Sequence, residues 1–453
     1  MAEQYSYTKI KSHRNGARLW LEGVKLGCAG FYRGAKYDRT VDGEVITLKL
    51  NPKGKYKVSG RQRNGKDIPI LDIALGQNET YTDGTRLRAV FSEGQVTVTV
   101  HHEEKSKTQR EERFRNAIVE GKLTHASACT GGGISTAAIH EAILHNHIRS
   151  KTAWVVDCEL KYLQSAYAQN FAIDDDTVCY EAKLEELEPH LLTQVDIFSF
   201  SLPCAGLSKS GTSKHKLTPE QHESSTSLFG IYNSIKSANA AILMSENVTE
   251  AQGSPMYVLL IQELTRLGYK VYERVQDNSK TGTFENRKRY WFVAVSEGLI
   301  GDVDFNTIFD FQMQREYANV NALLDEKVND SVWSENTYLK AKAVRDAEAG
   351  KGFANRQLLT GEEERIGTIG RFYHKRRSTE PFITRADGKE RLLSIFEHAR
   401  AKSVPVSLIE NCNMTHGHEI LGQGIDYRQA FAPMFRLIQL FKQQLVLSNE
   451  AAA

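Results

Sequence analysis

A cysteine at the end of a predicted strand is the residue with the clearest potential for chemistry. The mostly apolar residues 195–200 lead into Leu202-Pro203-Cys204, and an Ala and a Gly follow, which is typical of a buried strand that ends in a loop. Because Pro203 lacks a backbone donor, we expect the strand to stop and to hold Cys204 past its carboxyl end, where open α/β sheets place their ligands. The thiol is then either a nucleophile or a small buried apolar side chain.

A carboxylate and a basic cluster adjoin two further apolar runs. One run ends in Glu246-Asn247, and Arg287-Lys288-Arg289 begin another. Because parallel strands that end side by side form one crevice, we expect Cys204 and Glu246 to lie close together. Glu246 is then a general acid, or with Asn247 it caps a helix. The basic cluster contacts an anion or a base, or it is a solvated surface.

Three consecutive glycines indicate a second site. Gly131, Gly132 and Gly133 stand between a short apolar strand and a helix, where they allow a ligand to approach the backbone and the helix amino end. Asp157 follows the next apolar strand, so it either accepts hydrogen bonds from ribose hydroxyls or caps a helix. Glu181 follows the third strand in the same way.

These sites require an ordered series of elements. From residue 123 onward strands alternate with helices, which predicts a doubly wound, Rossmann-like α/β sheet. We expect a β-rich module over residues 1–100, a charged linker helix over 101–122, and a catalytic domain over 123–297. A target-recognition region over 298–390 and a return to the catalytic domain over 391–453 complete the prediction.

The composition limits the class of protein. The chain has 453 residues, of which 40% are hydrophobic, and a net charge of +2, so any nucleic-acid surface must be local. Its six cysteines form no CxxC pair, which argues against disulfides and metal sites and favours a reducing cytoplasm. No apolar run reaches membrane-spanning length, and the first residues do not resemble a signal peptide.

The first hundred residues contain an internal repeat. Each copy begins with an apolar strand and ends with a segment, Val41–Leu50 or Phe91–Val100. Each of these segments contains a turn, at Gly43 or Gly94, that is followed by a β-branched strand. This layout resembles the small swapped-hairpin domains of the AbrB and SymE type, which often bind DNA as dimers. The module therefore either binds DNA, forms a homodimer, or is a generic hairpin scaffold.

The order of motifs from residue 123 to the carboxyl end resembles the DNA (cytosine-5)-methyltransferases. The shared motifs are the Gly-rich turn, the acidic residue with Tyr167 and Asn170 after it, the PC loop, the ENV sequence and the RxR sequence. The segments RLLSIFEHAR and LGQGIDYRQAFAPMF, which begin at Arg391 and Leu421, resemble the last two motifs of that family.

The resemblance implies a mechanism. Cys204 adds to carbon 6 of cytosine and makes carbon 5 nucleophilic, Glu246 stabilises ring nitrogen 3, and Arg287 and Arg289 hold the base carbonyl, a phosphate or the thiolate. The methyl donor is S-adenosylmethionine, and the target base is flipped out of the duplex. The residues implied in binding the donor are Thr130, Gly131, Gly132, Gly133, Asp157, Glu181, Pro203 and Gln423.

The chain departs from the family pattern at several positions. Ala128 and Thr130 replace a Phe and a Gly of the first motif, and Ala205-Gly206-Leu207 replace the Gln-Pro-Phe that follows the PC pair. Glu285 replaces a Gln before the RxR sequence and adds a carboxylate that the resemblance does not explain. Gln423 stands where the last motif has Asn. These changes fit a bacterial, phage or mobile-element origin.

Target DNA is expected to meet two basic loops and a closing loop. RFYHKRRS and TRADGKER lie in the predicted recognition region, and KSGTSKHK follows Cys204. Basic side chains among aromatics suit phosphate and base contacts, although each loop is otherwise an ordinary solvated one. The predicted DNA-binding residues are Lys209, Lys214, Arg371, Lys375, Arg376, Arg377 and Arg385.

The sequence leaves three functions open. The first is methylation of double-stranded DNA, and the second is the same chemistry on RNA, as in one branch of the family. The third is a DNA-binding regulator that has lost catalysis, which the altered PC loop suggests and the presence of Cys204, Glu246, Arg287 and Arg289 opposes. The target site, a restriction partner and the oligomeric state are not determined by the sequence.

Overall fold

The structure is a computed structural model that describes residues 2–13, 16–76, 81–203, 207, 218, 221–350 and 357–452. The chain divides into two compact units, Met1–Gln109 and Arg110–Ala453, and the boundary falls within the helix His102–Glu120.

The first unit is built from two antiparallel sheets, ordered β1-β9-β10-β5-β4-β6 and β2-β3-β8-β7. A short helix, Val24–Cys28, follows β3. The strands are β1 Gln4–Lys9, β2 Lys11–His13, β3 Gly16–Glu22, β4 Lys36–Asp42, β5 Val45–Leu50, β6 Tyr56–Lys57, β7 Ser59–Arg63, β8 Lys66–Gly76, β9 Arg86–Ser92 and β10 Gln95–Val100.

The two sequence repeats pair with each other inside this unit. Thr47 of β5 lies opposite Thr97 of β10, and Leu19 of β3 lies opposite Ile73 of β8. The β-branched strands bury alternate residues, as in the pattern of β10, because successive side chains of a strand point to opposite faces. The predicted separate β-rich module is therefore present, and the two copies complete one another's sheets.

The second unit contains a seven-stranded sheet ordered β13-β12-β11-β14-β15-β17-β16. The first five strands in this order are parallel, and β17 runs antiparallel to both of its neighbours. The strands are β11 Lys122–Ala128, β12 Arg149–Asp157, β13 Val178–Glu181, β14 Ile197–Phe200, β15 Ile242–Asn247, β16 Tyr269–Gln276 and β17 Arg289–Ser296. The predicted doubly wound α/β fold is confirmed.

Helices pack against both faces of this sheet and form two apolar cores. The near-continuous apolar runs of β14 and β15 fit strands that are buried on both faces. The α-helices of the unit after the boundary helix are Ile134–His145, Leu160–Gln169, Ser227–Ala238, Pro255–Arg266, Asn278–Thr281, Val320–Leu323, Thr337–Glu348, Ile395–Ala401, Met414–Gln423 and Tyr427–Ala452.

Residues 298–390 contribute most of a small sheet and of a separate apolar cluster, which is completed by Phe284, Leu392, Leu393 and Ala401. Strand β18, Gln357–Leu359, is parallel to β19, Pro381–Thr384, which is antiparallel to β20, Glu390–Arg391. Buried residues such as Phe382 and Tyr373 form the cluster. After β20 the chain returns to the large core.

The charged helix His102–Glu120 is not a solvated rod. Arg110 is 3% exposed, lies over the Tyr269 ring at 3.9 Å and donates to the carbonyl of Leu267. Glu111 accepts a hydrogen bond from Ser296. Burial is possible because each charge has polar partners within the second unit.

Candidate active site

The glycine turn is too tight for larger residues. It joins β11 to the helix Ile134–His145, and Gly131 and Gly133 have φ values of 55° and 76°, which favour glycine. A Cβ on Gly132 would lie 2.4 Å from Cγ2 of Ile420, and one on Gly133 would lie 2.3 Å from Nδ2 of Asn170. The side chains of Ile420 and Asn170 therefore pack closely against the backbone of this turn.

Asn170 fixes the turn from the neighbouring helix. Its side-chain amide donates to the carbonyl of Gly133 at 2.9 Å and its oxygen accepts from the backbone N–H of Ala172 at 3.0 Å. The Asn that follows the acidic residue in the sequence motif thus has a structural explanation. Tyr167, which shares that motif, is instead exposed and donates to Asp175.

Asp157 faces the glycine turn from the end of β12. Its carboxylate accepts the N–H of Gly131 at 2.7 Å and that of Glu159 at 2.9 Å. Burial raises the pKa of Asp157, while these hydrogen bonds and the charge of Arg371 act in the opposite direction. Glu181 ends β13 directly beside Asp157 in the sheet register, so the two predicted acidic residues share one sheet edge.

Two further predicted cofactor residues border the turn. The amide nitrogen of Gln423 lies 3.6 Å from the Cβ position of Gly131. The hydroxyl of Thr130 is buried and bonds to Ser127 at 2.8 Å, so this side chain stabilises the turn from inside.

Arg371, another predicted DNA contact, interacts electrostatically with Asp157, and its guanidinium lies 5.5 Å from the centroid of the Phe372 ring. Its guanidinium is 5.6 Å from the ring centroid of Tyr162, and its Nε is buried and has no hydrogen-bond partner. The hydroxyl of Tyr162 donates to Glu419 at 3.2 Å.

The strand that leads to Cys204 is held by Asn247. Leu202 is buried and Pro203 is half-buried. Asn247, at the end of the adjacent strand β15, donates to the carbonyl of Leu202 at 2.8 Å and contacts the hydroxyl of Tyr257 at 2.9 Å. Cys204 itself lies outside the described residues, as do Lys209 and Lys214 of the predicted closing loop.

Glu246 and Arg289 form an ion pair at the same edge of the sheet. Nε of Arg289 is 3.0 Å from Oε1 of Glu246, and the two side chains are 15% and 13% exposed. The pair forms because β15 and β17 are antiparallel neighbours, so the end of one strand adjoins the start of the other. The structure therefore joins one predicted arginine to the predicted acid.

Arg287 points into a buried cluster instead. Its guanidinium is 3.3 Å from Oε1 of Glu285 and donates to the carbonyls of Ile369 and Gly422. Only 4% of Arg287 is exposed. The Glu285 carboxylate also accepts the N–H of Ile369 at 2.7 Å. A role for Arg287 next to the base stays a prediction.

Lys402 completes this cluster, which we call the Glu285 cluster (Glu285, Arg287 and Lys402). Its fully buried Nζ donates to the carbonyls of Leu421 and Gly424 and lies 3.5 Å from Oε2 of Glu285. Burial lowers the pKa of Lys402 to about 7. Burial pushes the pKa of Glu285 upward, but Lys402 and Arg287 outweigh it, and the net direction is downward.

The cluster explains the carboxylate that the sequence left unexplained. Glu285 is not directed at a polyanion, since two cations of the protein surround it. Lys402 was missed by the sequence analysis because it follows the amphipathic helix Ile395–Ala401 and reads as a surface residue. A signal existed in Glu285 itself, because a buried carboxylate next to apolar residues requires a cation.

In the basic loop at residues 371–378, Arg376 bonds to other parts of the protein, whereas Lys375 and Arg377 are exposed. Arg376 donates to the hydroxyl of Ser334 at 2.6 Å and to the carbonyl of Glu390, so it holds the small sheet region together. Lys375 and Arg377 are exposed and lie 4.7 and 4.8 Å from the ring of Phe372.

Arg385 of the second basic loop is occupied by carboxylates. It pairs with Asp330 at 2.6 Å and with Asp387 at 2.7 Å, and it lies 4.8 Å from the Trp333 ring. Its charge is therefore largely balanced within the region.

Among the residues described, no three or more His, Cys, Asp or Glu side chains are grouped to bind a metal ion. In the same part of the chain, no helix combines the length and apolar character needed to cross a bilayer.

The sheet order and the glycine turn define a Rossmann-like α/β fold. Comparison with known proteins gives the family. Residues 129–427 match the family of C-5 cytosine-specific DNA methylases. The chain belongs to this family.

Two methyltransferase sequences and one solved methyltransferase structure are similar to this chain. The type II methyltransferase M.NlaX of Neisseria lactamica is 27% identical over 253 residues, which cover 54% of this chain and 76% of that protein. A type II methyltransferase of Lactococcus lactis subsp. cremoris is 26% identical over 241 residues, or 47% of this chain and 62% of that protein. The Dnmt2 methyltransferase of S. pombe has a similar fold, with a TM-score of 0.56 and 14% identity over 71% of this chain and 99% of that one.

Proposed function

We propose that this protein transfers a methyl group from S-adenosylmethionine to carbon 5 of cytosine in double-stranded DNA. The ion pair between Glu246 and Arg289 carries the proposal, because it stands at the end of the strand next to the one that leads into Cys204. The chain's membership of the C-5 cytosine-specific DNA methylase family supports the same chemistry.

The residues at the glycine turn fit S-adenosylmethionine. The Asp157 carboxylate accepts two backbone N–H groups, and since a carboxylate has about four lone-pair sites, it can also accept ribose hydroxyls. Because residues 131–133 are glycines, a ligand can approach the backbone of the turn closely, and at Gly131 it would lie next to the side-chain amide of Gln423. When bound, the cofactor supplies an electrophilic methyl group.

The protein's own residues prepare the cytosine. The Cys204 thiolate forms a bond to carbon 6, and the electron pair that this releases makes carbon 5 nucleophilic. Glu246 in its protonated form donates a hydrogen bond or a proton at ring nitrogen 3, which stabilises the adduct. Nε of Arg289, 3.0 Å from Oε1 of Glu246, orients the carboxyl group and leaves its other oxygen to carry the proton. We infer that Arg289 also binds the base carbonyl. Once carbon 5 carries the methyl group, its proton passes to water, and the electron pair of that C–H bond re-forms the double bond between carbons 5 and 6 and expels the Cys204 thiolate.

Contacts to DNA are assigned to the exposed part of the recognition region. Lys375 and Arg377 flank the Phe372 ring, so they combine phosphate-binding charge with a stacking surface. Arg376 and Arg385 hold the region together, so we expect Arg376→Gln to lower stability and Arg377→Gln to weaken DNA binding. The target base must leave the helix, because carbon 6 is shielded within a stacked duplex.

The experiment is transfer of labelled methyl from S-adenosylmethionine to duplex DNA and to transfer RNA, with Cys204→Ser as the matched control. We expect label in DNA, at carbon 5 of cytosine, that disappears in the variant. Label in RNA alone would give the second function, RNA methylation. Tight DNA binding without label in either substrate would contradict the enzymatic proposal and favour a regulator.

A further inference from the structure

The positive charge of the amino-terminal unit is concentrated between its two repeats, where residues 51–66 contain six Lys and Arg and no Asp or Glu. Residues 33–66 contain ten Lys and Arg and three Asp and Glu, although the whole chain has a net charge of only +2. Residues 81–100 of the second repeat contain two basic and two acidic residues. The first repeat itself is nearly neutral, since residues 33–50 contain four basic and three acidic residues, so the excess charge belongs to the connection between the repeats.

Several of these cations oppose each other across strands. Lys36 of β4 lies directly opposite Lys57 of β6, and Arg63 of β7 lies opposite Lys66 of β8. Directly opposed like charges destabilise an antiparallel pair. All four side chains belong to exposed residues. Because the four side chains are exposed, water and salt screen their repulsion, and the charges are accessible to an anionic ligand.

Protein carboxylates do not offset this repulsion. Within the described chain, none of these four cations forms an ion pair, whereas the neighbouring Arg33 and Arg61 are paired with Asp67 and Glu22. We call Lys36, Lys57, Arg63 and Lys66 the basic ribbon. It is distinguished from an ordinary solvated surface because its members face one another instead of alternating with acids.

The ribbon has the dimensions of a nucleic-acid backbone contact. From Lys57 to Arg63 the chain is extended and spans about 20 Å at roughly 3.3 Å per residue. Duplex DNA carries a phosphate about every 3.4 Å along each strand, so the ribbon faces several phosphates. Gly60 lies in the middle, where a Cβ would be 2.8 Å from the carbonyl of Ile68 and 3.1 Å from the Arg33 side chain, and the strand stays narrow there.

We propose that the basic ribbon of the amino-terminal unit binds the phosphate backbone of duplex DNA, independently of sequence. The choice of DNA rests on the proposed function of the second unit. The ribbon thus supplies a second, tethered DNA-binding surface, which raises the effective concentration of DNA at the catalytic unit.

The test uses the full chain with Lys57, Arg63 and Lys66 changed to Gln. Binding of a 20-base-pair duplex is followed by fluorescence anisotropy between about 50 and 300 mM salt. We expect at least about a tenfold loss of affinity at 0.1 M salt, and a salt slope reduced by about 3, since each neutralised phosphate adds about 0.9 to the slope. The methylation rate at saturating DNA should stay unchanged while KM for DNA rises.

A matched control carries the same change of charge in the same unit. Lys9, Lys11 and Arg88 are exposed residues of β1, β2 and β9, and changing them to Gln also replaces two lysines and one arginine. Equal losses in both variants would overturn the proposal, because they would reflect net charge alone. An unchanged slope in the ribbon variant, or a loss confined to duplex RNA, would also overturn it. Absence of methyl transfer in the unmodified protein would instead contradict the proposed function.

Discussion

Changing Glu285 to Gln tests whether the buried charges act as one cluster. The substitution keeps the shape of the side chain and an oxygen that can accept the N–H of Ile369, but it removes the negative charge between Arg287 and Lys402. All three charged side chains are at most 5% exposed, so water cannot replace the missing partner. The cluster also joins the segment before Arg289 to the end of the helix Met414–Gln423, through the carbonyls on either side of Gln423.

The expected magnitude follows from the burial. Removing one partner of a buried ion pair costs about 3–5 kcal/mol, because the other charge is left uncompensated. At pH 8 the free energy of unfolding should fall by about 3 kcal/mol, the lower end of this range. The reason is that burial lowers the pKa of Lys402 to about 7, so the amine can lose its proton. Replacing both Glu285 and Lys402 removes one of the two cations that would otherwise be left uncompensated, and Arg287 keeps its carbonyl partners, so the double variant Glu285→Gln, Lys402→Met should lose less than the sum of the single changes.

Urea unfolding followed by tryptophan fluorescence measures these differences, because Trp154 and Trp291 are buried in the second unit. The cycle compares both single variants with the double variant and should give a coupling energy of about 1–3 kcal/mol. Asp176→Asn provides the control, since it breaks an exposed pair with Lys151 at 2.9 Å and should not change the unfolding curve measurably. Additive single changes, or a stable Glu285→Gln variant, would refute the reasoning.

Three further predictions concern the site. Asn247→Ala removes the hydrogen bond to Leu202 that holds the strand before the nucleophile, so kcat should fall at least about tenfold while the Kd for S-adenosylmethionine stays constant; an unchanged kcat would exclude this positioning role. Gly132→Ala places a Cβ 2.4 Å from Ile420 and should weaken cofactor binding measured by calorimetry, and normal affinity would contradict the tight turn. The free energy of unfolding should rise between pH 7 and 10 relative to Lys402→Met, because the unfolded lysine keeps its proton up to a higher pH than the folded one; parallel pH profiles would argue against a buried amine.

Much of the fold could be predicted from the sequence because its signals are local. The apolar runs before Asp157, Glu181 and Glu246 end where the strands end or within one residue. A strand can be predicted in this way because its pattern of apolar residues is set by residues close together in the sequence. The repeat in the first unit likewise appears as paired strands. These features depend little on distant parts of the chain.

The cluster and the separation of the two arginines could not be predicted in this way. Arg287 and Arg289 are two residues apart, yet one contacts Glu285 and the other Glu246, because regular strand geometry begins only at Arg289. The partner of Glu285 comes from Lys402, more than a hundred residues later, and no periodicity links the two. Long-range pairing of this kind depends on the three-dimensional packing of the returning segment.

The same limit applies to the basic residues of the recognition region. RFYHKRRS reads as one run of DNA contacts, but Arg371 adjoins Tyr162 and Arg376 holds Ser334, while Lys375 and Arg377 remain exposed. Composition gives the local charge of a loop, whereas the direction of each side chain depends on the elements packed around it.

Trapping of the covalent adduct tests the central claim most directly. Duplex DNA with fluorine at carbon 5 of cytosine lacks the proton that must leave, so elimination of the enzyme is blocked after methyl transfer. With S-adenosylmethionine present, we predict a denaturation-resistant complex joined through Cys204, absent in Cys204→Ser and greatly reduced in Glu246→Gln. A labelled product without any trapped complex, or an adduct that persists in Cys204→Ser, would contradict the account.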